Sequence, residues 1–316
     1  MNTYSNFREF YDTKLLPDLK ILDRERKQVD RRVLLIILIA IVLIIVVGSL
    51  FHGSGTSYFQ ILFGVLAFIA ISLVSKKYRQ NFKNKIVQKI TAFVDESLVY
   101  SPEGYVSREE FTNSGIFQKY CNRYNGEDHF KGKLGKTAIE FSEVVGKNVT
   151  TTGTGSKRKE HQSIVFKGIF FIADFNKDFE GHTIVLPDTA ERILGKFGQS
   201  LQSMSTRGEL IKLEDPEFEK EFCVYSDDQV EARYILSPSL MKRIIDFKRK
   251  WKTKVYLSFR NSKVYIAIKM NKNLFETRLF KSIVDYNFME ENIRFLVLLT
   301  GIVEDLNLNT RIWTKK

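Results

Sequence analysis

VLLIILIAIVLIIVVGSLF, residues 33–51, contains nineteen residues, and only Gly48 and Ser49 are not strongly apolar. At about 1.5 Å of rise per residue, a helix of this length reaches the roughly 30 Å hydrocarbon thickness of a bilayer. A second run, YFQILFGVLAFIAISLVS (58–75), has eighteen residues and no charge, with Gln60 near its end, where an amide reaches the headgroups. Between them HGSGTS (52–57) is long enough for a tight turn and little else. The two runs predict a transmembrane helical hairpin. A cleaved signal peptide fits the first run poorly, because 32 residues precede it, no small-residue cleavage site follows and a second run comes at once. Burial of both runs in a soluble core is the other alternative, and their length and lack of charge stand against it.

The flanks set the orientation. Arg24, Arg26, Lys27, Arg31 and Arg32 precede the first run. Lys76, Lys77, Arg79, Lys83, Lys85 and Lys89 follow the second, with no acid before Asp95, and the turn carries no Lys or Arg. The excess of cations on loops that stay inside predicts two cytoplasmic termini. The same six basic residues form a candidate lipid-surface collar, each near-surface charge contributing about 1 kcal/mol on an anionic leaflet; a pure topology signal explains them equally well. The formal net charge is +12, but residues 1–90 hold fourteen basic and six acidic side chains, so the excess surrounds the apolar runs. A nucleic-acid partner is not expected from that distribution. Apolar content of 44%, 18 Gly, 5 Pro and 2 Cys exclude collagen-like, disordered and disulfide-scaffold classes. In a reducing compartment Cys121 and Cys223 are expected to be free thiols.

Residues 1–32 are expected to form a helix that runs straight into the first span, with Pro17, Leu19 and Leu22 in it. Ile86, Ile90, Phe93, Val94 and Leu98 define one face of a juxtamembrane amphipathic helix over 76–100. Because the spans are antiparallel, these extensions should pack side by side; a helix lying in the lipid surface is the alternative. SPEGY (101–105) breaks the helix, and Ser107 with Glu110 has capping-box spacing for a short helix through Phe111, Ile116 and Tyr120. From Phe130 the period changes to two, predicting strands in KTAIEFSEVV, SIVFKGIFFIADF, HTIVLP, ELIKLED and EFCVYS. TTGTGSKRKEHQ reads as a loop, 189–204 as a helix and Ser237-Pro238 as the cap of another. KVYLSF-RNS-KVYIAIK reads as a hairpin, and 287–306 as a last helix. The fold class is α+β: a transmembrane hairpin (33–75), then a cytosolic domain (101–316) of mainly antiparallel sheet with packed helices and a possible sub-domain break near 208.

The hairpin followed by YNGED (124–128), IEFSEV (139–144), FKGIFFIADFNKDFEGHT (166–183), LEDPEFEKEFCVYSDDQVEARYILSP (213–238) and LNT-x-IW (308–313) resembles a family of bacterial membrane proteins, domain of unknown function three-one-three-seven. The resemblance implies a multi-pass bacterial inner-membrane protein with a cytosolic α+β domain, and a LemA-type membrane protein as candidate partner. It supplies no catalytic residues.

Local constellations carry little chemistry. Gly132-Lys-Leu-Gly135-Lys136-Thr137 ends like a phosphate-binding loop, but Phe130 stands where its first Gly is required, and a hairpin turn fits better. Asp174, Asn176 and Asp178 have the spacing of a calcium loop, yet Phe179 replaces the turn Gly and Val185 the final Glu. They are weak metal candidates beside an ordinary Asx turn. His52, His129, His161 and His182 are isolated, and no HExxH, CxxC or GxSxG occurs. Asp227, Asp228, Glu231 and Arg233 form a charged cluster that is either structural or the edge of an Arg-centred pocket. Lys157-Arg158-Lys159 is a loop charge run, and Asn148-Val-Thr150 is a glycosylation sequon only outside the cytoplasm. The sequence thus predicts a membrane-anchored cytosolic interaction or scaffold module on an anionic leaflet, with no cofactor and no catalytic set. The alternative is a membrane-surface enzyme or ligand-binding sensor.

Overall fold

A computed structural model describes residues 6–50, 56–153, 158–175, 177–188 and 207–309. The expected helix over 189–204, most of the turn over 52–57, and Asn176 lie outside the described residues. The chain forms two compact units. One holds the residues up to Val94 together with Phe275–Phe295, and the other holds Asp95–Leu274 with the chain from Leu296 onward.

In the first unit, helices α1 (Phe7–Leu50) and α2 (Ser57–Val94) carry the two apolar runs. Both are long and apolar enough to cross a membrane, and their most apolar windows are 6% and 0% buried. Beyond these runs the helices continue without a break and pack on each other, as the sequence predicts. Leu19, Leu22, Ile86 and Ile90 are fully buried. Asn81 donates to Glu25 at 2.9 Å, Lys89 binds the Asp18 carboxylate and the Lys14 carbonyl, and the Phe10 and Phe93 rings stack at 4.1 Å. Each extension contains one π-helical turn, at Tyr11–Leu15 and Lys83–Val87.

In the second unit, nine strands among the described residues form one antiparallel sheet: β1 (Val99–Ser101), β2 (Arg123–Leu134), β3 (Thr137–Thr152), β4 (Lys159–Asp174), β5 (His182–Pro187), β6 (Glu209–Ile211), β7 (Phe222–Ser226), β8 (Val255–Arg260) and β9 (Lys263–Lys269). Their spatial order is β1-β2-β3-β4-β9-β8-β5-β7-β6. The register places Tyr100, Phe130, Phe141, Phe171, Ile266, Leu257, Val185, Val224 and Ile211 in one row across all nine strands. Every member is buried. Cross-strand neighbours of this kind are the unit of sheet stabilisation. The row continues through β5, β7 and β6, so the strands on either side of residue 208 belong to the same sheet. Residues on the opposite face, among them Val144, Phe166, Phe170, Ile184, Tyr225 and Ala267, join a core with Phe111 and Ile116.

Local signals account for most helix ends. Ser107 accepts from the Glu110 N–H at 3.1 Å and caps α3 (Arg108–Asn113). That helix stops before Ile116 and Tyr120 because Gly115 adopts φ +66, a conformation that ends helices. After α4 (Pro216–Glu221) and α5 (Gln229–Ile235), Ser237 caps α6 (Pro238–Trp251) with Pro238 in its first turn. The β8–β9 hairpin turns through Asn261 and Ser262, both at positive φ. The expected last helix is two, α7 (Tyr286–Thr300) and α8 (Ile302–Asp305), separated at Gly301.

Candidate functional site

The most unusual chemistry of the first unit lies just outside the apolar runs. Asp23, Arg26 and Asp30 project from α1 at helical spacing and are 8%, 6% and 7% exposed. Ion pairs buried to this degree require further hydrogen bonds to offset lost hydration. Arg26 is forked between the two carboxylates, its Nε at 2.8 Å from Asp23 and its second nitrogen on Asp30. Lys27 lies 3.7 Å from the other Asp23 oxygen, and further acceptor capacity goes to the segment after Phe275. Asp23 accepts from Ser282 Oγ at 3.0 Å and from the Ile283 N–H at 3.3 Å, and Asp30 accepts from the Phe280 N–H at 3.1 Å. From α2, the buried Tyr78 hydroxyl donates to the Arg278 carbonyl at 3.2 Å and accepts from Thr277 Oγ1 at 2.7 Å.

The electrostatics follow from these partners. Burial pushes the Asp23 carboxyl up, but hydrogen bonds from Arg26, Ser282 and Ile283 outweigh it and leave it below the ordinary value. Burial raises Tyr78 to about 12, so it stays a neutral hydroxyl. Arg278 lies over the Phe288 ring at 3.7 Å and pairs with Asp285 at 3.1 Å. The arrangement grips a backbone segment in one register; all the groups described are engaged within it.

The collar residues divide by environment. Lys76, Lys77, Arg79 and Lys85 are exposed. Lys83 is buried and lies 3.7 Å from Glu276, and Lys89 is engaged with Asp18. Before the first run Arg24, Lys27, Arg31 and Arg32 are exposed, whereas Arg26 belongs to the buried pair system.

In the second unit the sequence-predicted constellations are mainly structural. Gly135, at φ +60, lies in the β2–β3 hairpin turn, the reading preferred over a phosphate loop. Asp174 ends β4 opposite Lys263, and Asp178 accepts from Ser262 Oγ at 3.3 Å. Among the described residues no three His, Cys, Asp or Glu side chains converge as a metal site. Asp228 caps α5, Glu231 accepts from the Glu180 and Gly181 N–H groups, and Arg233 donates to the Lys212 and Gln229 carbonyls. Asp227 binds the His182 ring at 2.8 Å; burial would raise its carboxyl, but the His182 N–H and imidazole hold it below the ordinary value. Ser226 completes a hydrolase-like set of residue types, yet its buried Oγ donates to the His182 carbonyl at 2.8 Å and Nε2 of that ring faces the Arg207 carbonyl at 3.1 Å. Nucleophile and base are therefore not paired. Neither Cys121, which is buried, nor Cys223, which is half-buried, is joined in a disulfide.

Sequence reasoning passed over Asp23, Asp30 and the segment 275–285. A signal was available on α1: Leu19, Leu22, Asp23, Arg26, Val29, Asp30 and Val33 form one inward seam, and charges on such a seam need buried partners. It also passed over KRKWKTK (248–254), a dense basic run.

Residues 164–308 match the model of a family described as Protein of unknown function (DUF3137). The match includes FKGIFFIADFNKDFEGHT, LEDPEFEKEFCVYSDDQVEARYILSP and the gripped segment 275–285, and it begins after YNGED and IEFSEV. No curated protein and no solved structure matches the chain.

Proposed function

We propose that the chain is a membrane-anchored interaction module of a bacterial inner membrane, with α1 and α2 crossing the bilayer and both termini cytoplasmic. One observation carries the reading. The apolar windows of α1 and α2 leave side chains such as Leu34, Leu38, Phe59, Phe68 and Leu73 half or more exposed. A bilayer accommodates such a surface and water does not. The exposed Arg24, Lys27, Arg31 and Arg32 before the first run, and Lys76, Lys77, Arg79 and Lys85 after the second, support the orientation. The buried polar grip supports a role in holding residues 275–285 to the membrane-proximal helices. A membrane protein, with a LemA-type protein as the first to try, is the proposed partner.

Topology is the test. A cysteine at Ser54 should react with an impermeant thiol reagent on intact cells, and one at the exposed Lys159 should react only after permeabilisation. Labelling of the Lys159 position in intact cells, or of neither position until permeabilisation, overturns the orientation. Crosslinking in native membranes should then retain a membrane-protein partner.

A further inference from the structure

We propose that an open basic groove at one end of the sheet binds a phosphate-bearing anion. The groove is open to solvent, with about 690 Å³ of space over its lining, room for a small polyanion that stays partly hydrated. Lys248, Arg249, Lys252, Lys254 and Lys269 line it, against Glu221 as the single lining acid among the described residues. The inference stands on this unit alone and goes beyond membrane anchoring.

Part of this charge has a structural explanation. Cations in the last turn of a helix offset the negative end of its dipole, and α6 ends in Lys248, Arg249 and Lys250. Each also meets a carboxylate: Lys248 binds Glu221, Arg249 binds Glu217 at 2.6 Å, and Lys250 binds Asp305 at 2.6 Å. The acids near this end of the helix are thereby largely engaged, with Asp246 a further influence on Arg249.

Lys252, Lys254 and Lys269 are different. None of the three meets an acid among the described residues. Lys252 takes φ +50 where the chain leaves α6, its N–H returning to the Lys248 carbonyl. The Lys269 N–H donates to the Lys254 carbonyl at 3.0 Å, one step past the Val255–Ile268 pair. Lys254, just before β8, therefore lies opposite Lys269 at the end of β9, and like charges so placed disfavour the pairing. Thr253 Oγ1 donates to the Lys269 carbonyl at 2.7 Å and holds the two backbones together. Three lysines that meet no acid among the described residues, gathered around one groove, suit an anion that several ammonium groups share, as a di- or triphosphate or a phosphorylated headgroup would be.

The test uses the full chain in nanodiscs. In phosphatidylcholine discs, inorganic tripolyphosphate is titrated at low salt; in a second arm the discs contain phosphatidic acid and its enrichment around the protein is measured. The variant Lys252→Gln/Lys254→Gln/Lys269→Gln is compared with Lys119→Gln/Arg158→Gln/Lys159→Gln, which removes equal charge from exposed positions elsewhere. A loss of roughly tenfold or more in the first variant, and not in the second, supports the groove. Loss in the tripolyphosphate arm assigns a free phosphate ligand, and loss in the phosphatidic acid arm alone assigns a lipid headgroup. Equal losses in both variants, or no binding by the wild type in either arm, overturn the proposal.

Discussion

The Asp23 carboxylate accepts the backbone N–H of Ile283, 260 positions further along the chain, at 3.3 Å. Together with the Asp30 bond to the Phe280 N–H, it fixes a returning segment by its main chain. Apolar contacts tolerate small slips; two carboxylates on particular N–H groups do not, which gives a physical reason for polar residues on an otherwise apolar helix seam. Contacts so distant in sequence carry a large loop-closure cost, so the grip is expected to form after the strands between its two halves.

Removing the central cation should reveal what the pairing contributes. Arg26→Met leaves two carboxylates buried without it and should destabilise the first unit by on the order of 3 kcal/mol. The triple variant Asp23→Asn/Arg26→Met/Asp30→Asn carries no charge at these three positions and should recover part of that loss. Thermal unfolding in detergent measures both. Identical stability of wild type and Arg26→Met would show the pairs to be incidental.

The same carboxylate predicts a pH dependence with a definite sign. Its folded value lies below the ordinary 3.8, so its contribution is complete at neutral pH and is lost as pH falls through the folded value. The stability difference between wild type and Asp23→Asn should therefore hold steady from pH 7 to about 5 and shrink only below about 4. Paired unfolding curves across that range decide it; a difference that fades between about pH 7 and 5 would assign the effect to another group.

What was legible in the sequence was what is local. Apolar runs, the Ser107 and Ser237 caps and the Asn261-Ser262 turn each declare themselves within a few residues. The strand β2 did not, because Gly126 and Gly132 interrupt its pattern and read as breakers. Gly126 is instead required by close approach: a Cβ there would lie 2.5 Å from both the Glu143 carbonyl oxygen and Tyr105 Cβ. Asp128, at φ +56, marks the irregularity in the β2–β3 register between Glu127 and Phe130. The grip was legible only on its α1 side, where the seam marks Asp23, Arg26 and Asp30 as charges that need buried partners; the partners themselves were not. Ser282 looks like an ordinary surface polar residue, and only the folded chain brings it to Asp23. KRKWKTK was visible, but the end of an amphipathic helix already explains half of it.

Phe280 should report the membrane boundary. It is a non-glycine residue at φ +59, it is 55% exposed, and its N–H is held by Asp30, three positions before the first apolar run. Aromatic rings are favoured at bilayer interfaces, and with the anchoring proposed above this exposed ring is expected at that level. With Trp251 and Trp313 replaced by Phe, a Phe280→Trp reporter should be quenched by lipids brominated near the headgroup, and a Leu62→Trp reporter by lipids brominated deeper. Quenching of the second reporter alone places Phe280 in water and leaves the spanning helices intact.

The basic collar should act as two sets of residues. Lys76, Lys77, Arg79 and Lys85 are exposed after the second apolar run, and at about 1 kcal/mol per near-surface charge they can enrich anionic lipid around the protein. Lys83 is buried beside Glu276, and Lys89 is committed to Asp18; their loss should be felt first in the packing of the helices. A fragment beginning at Lys76 is a poor probe, since it would strip α2 of the α1 residues that bury Ile86 and Ile90. The full chain in mixed phosphatidylcholine–phosphatidylglycerol nanodiscs avoids this. Changing the four exposed residues to Gln should abolish the enrichment of phosphatidylglycerol, which salt weakens by screening over a length of about 8 Å at physiological ionic strength, and should leave the unfolding temperature nearly unchanged because these side chains are exposed. Lys83→Gln should lower the unfolding temperature and leave lipid enrichment in place. If the four-residue variant retains its anionic shell, the collar serves only to orient the hairpin, and the second unit meets its partners without help from lipid.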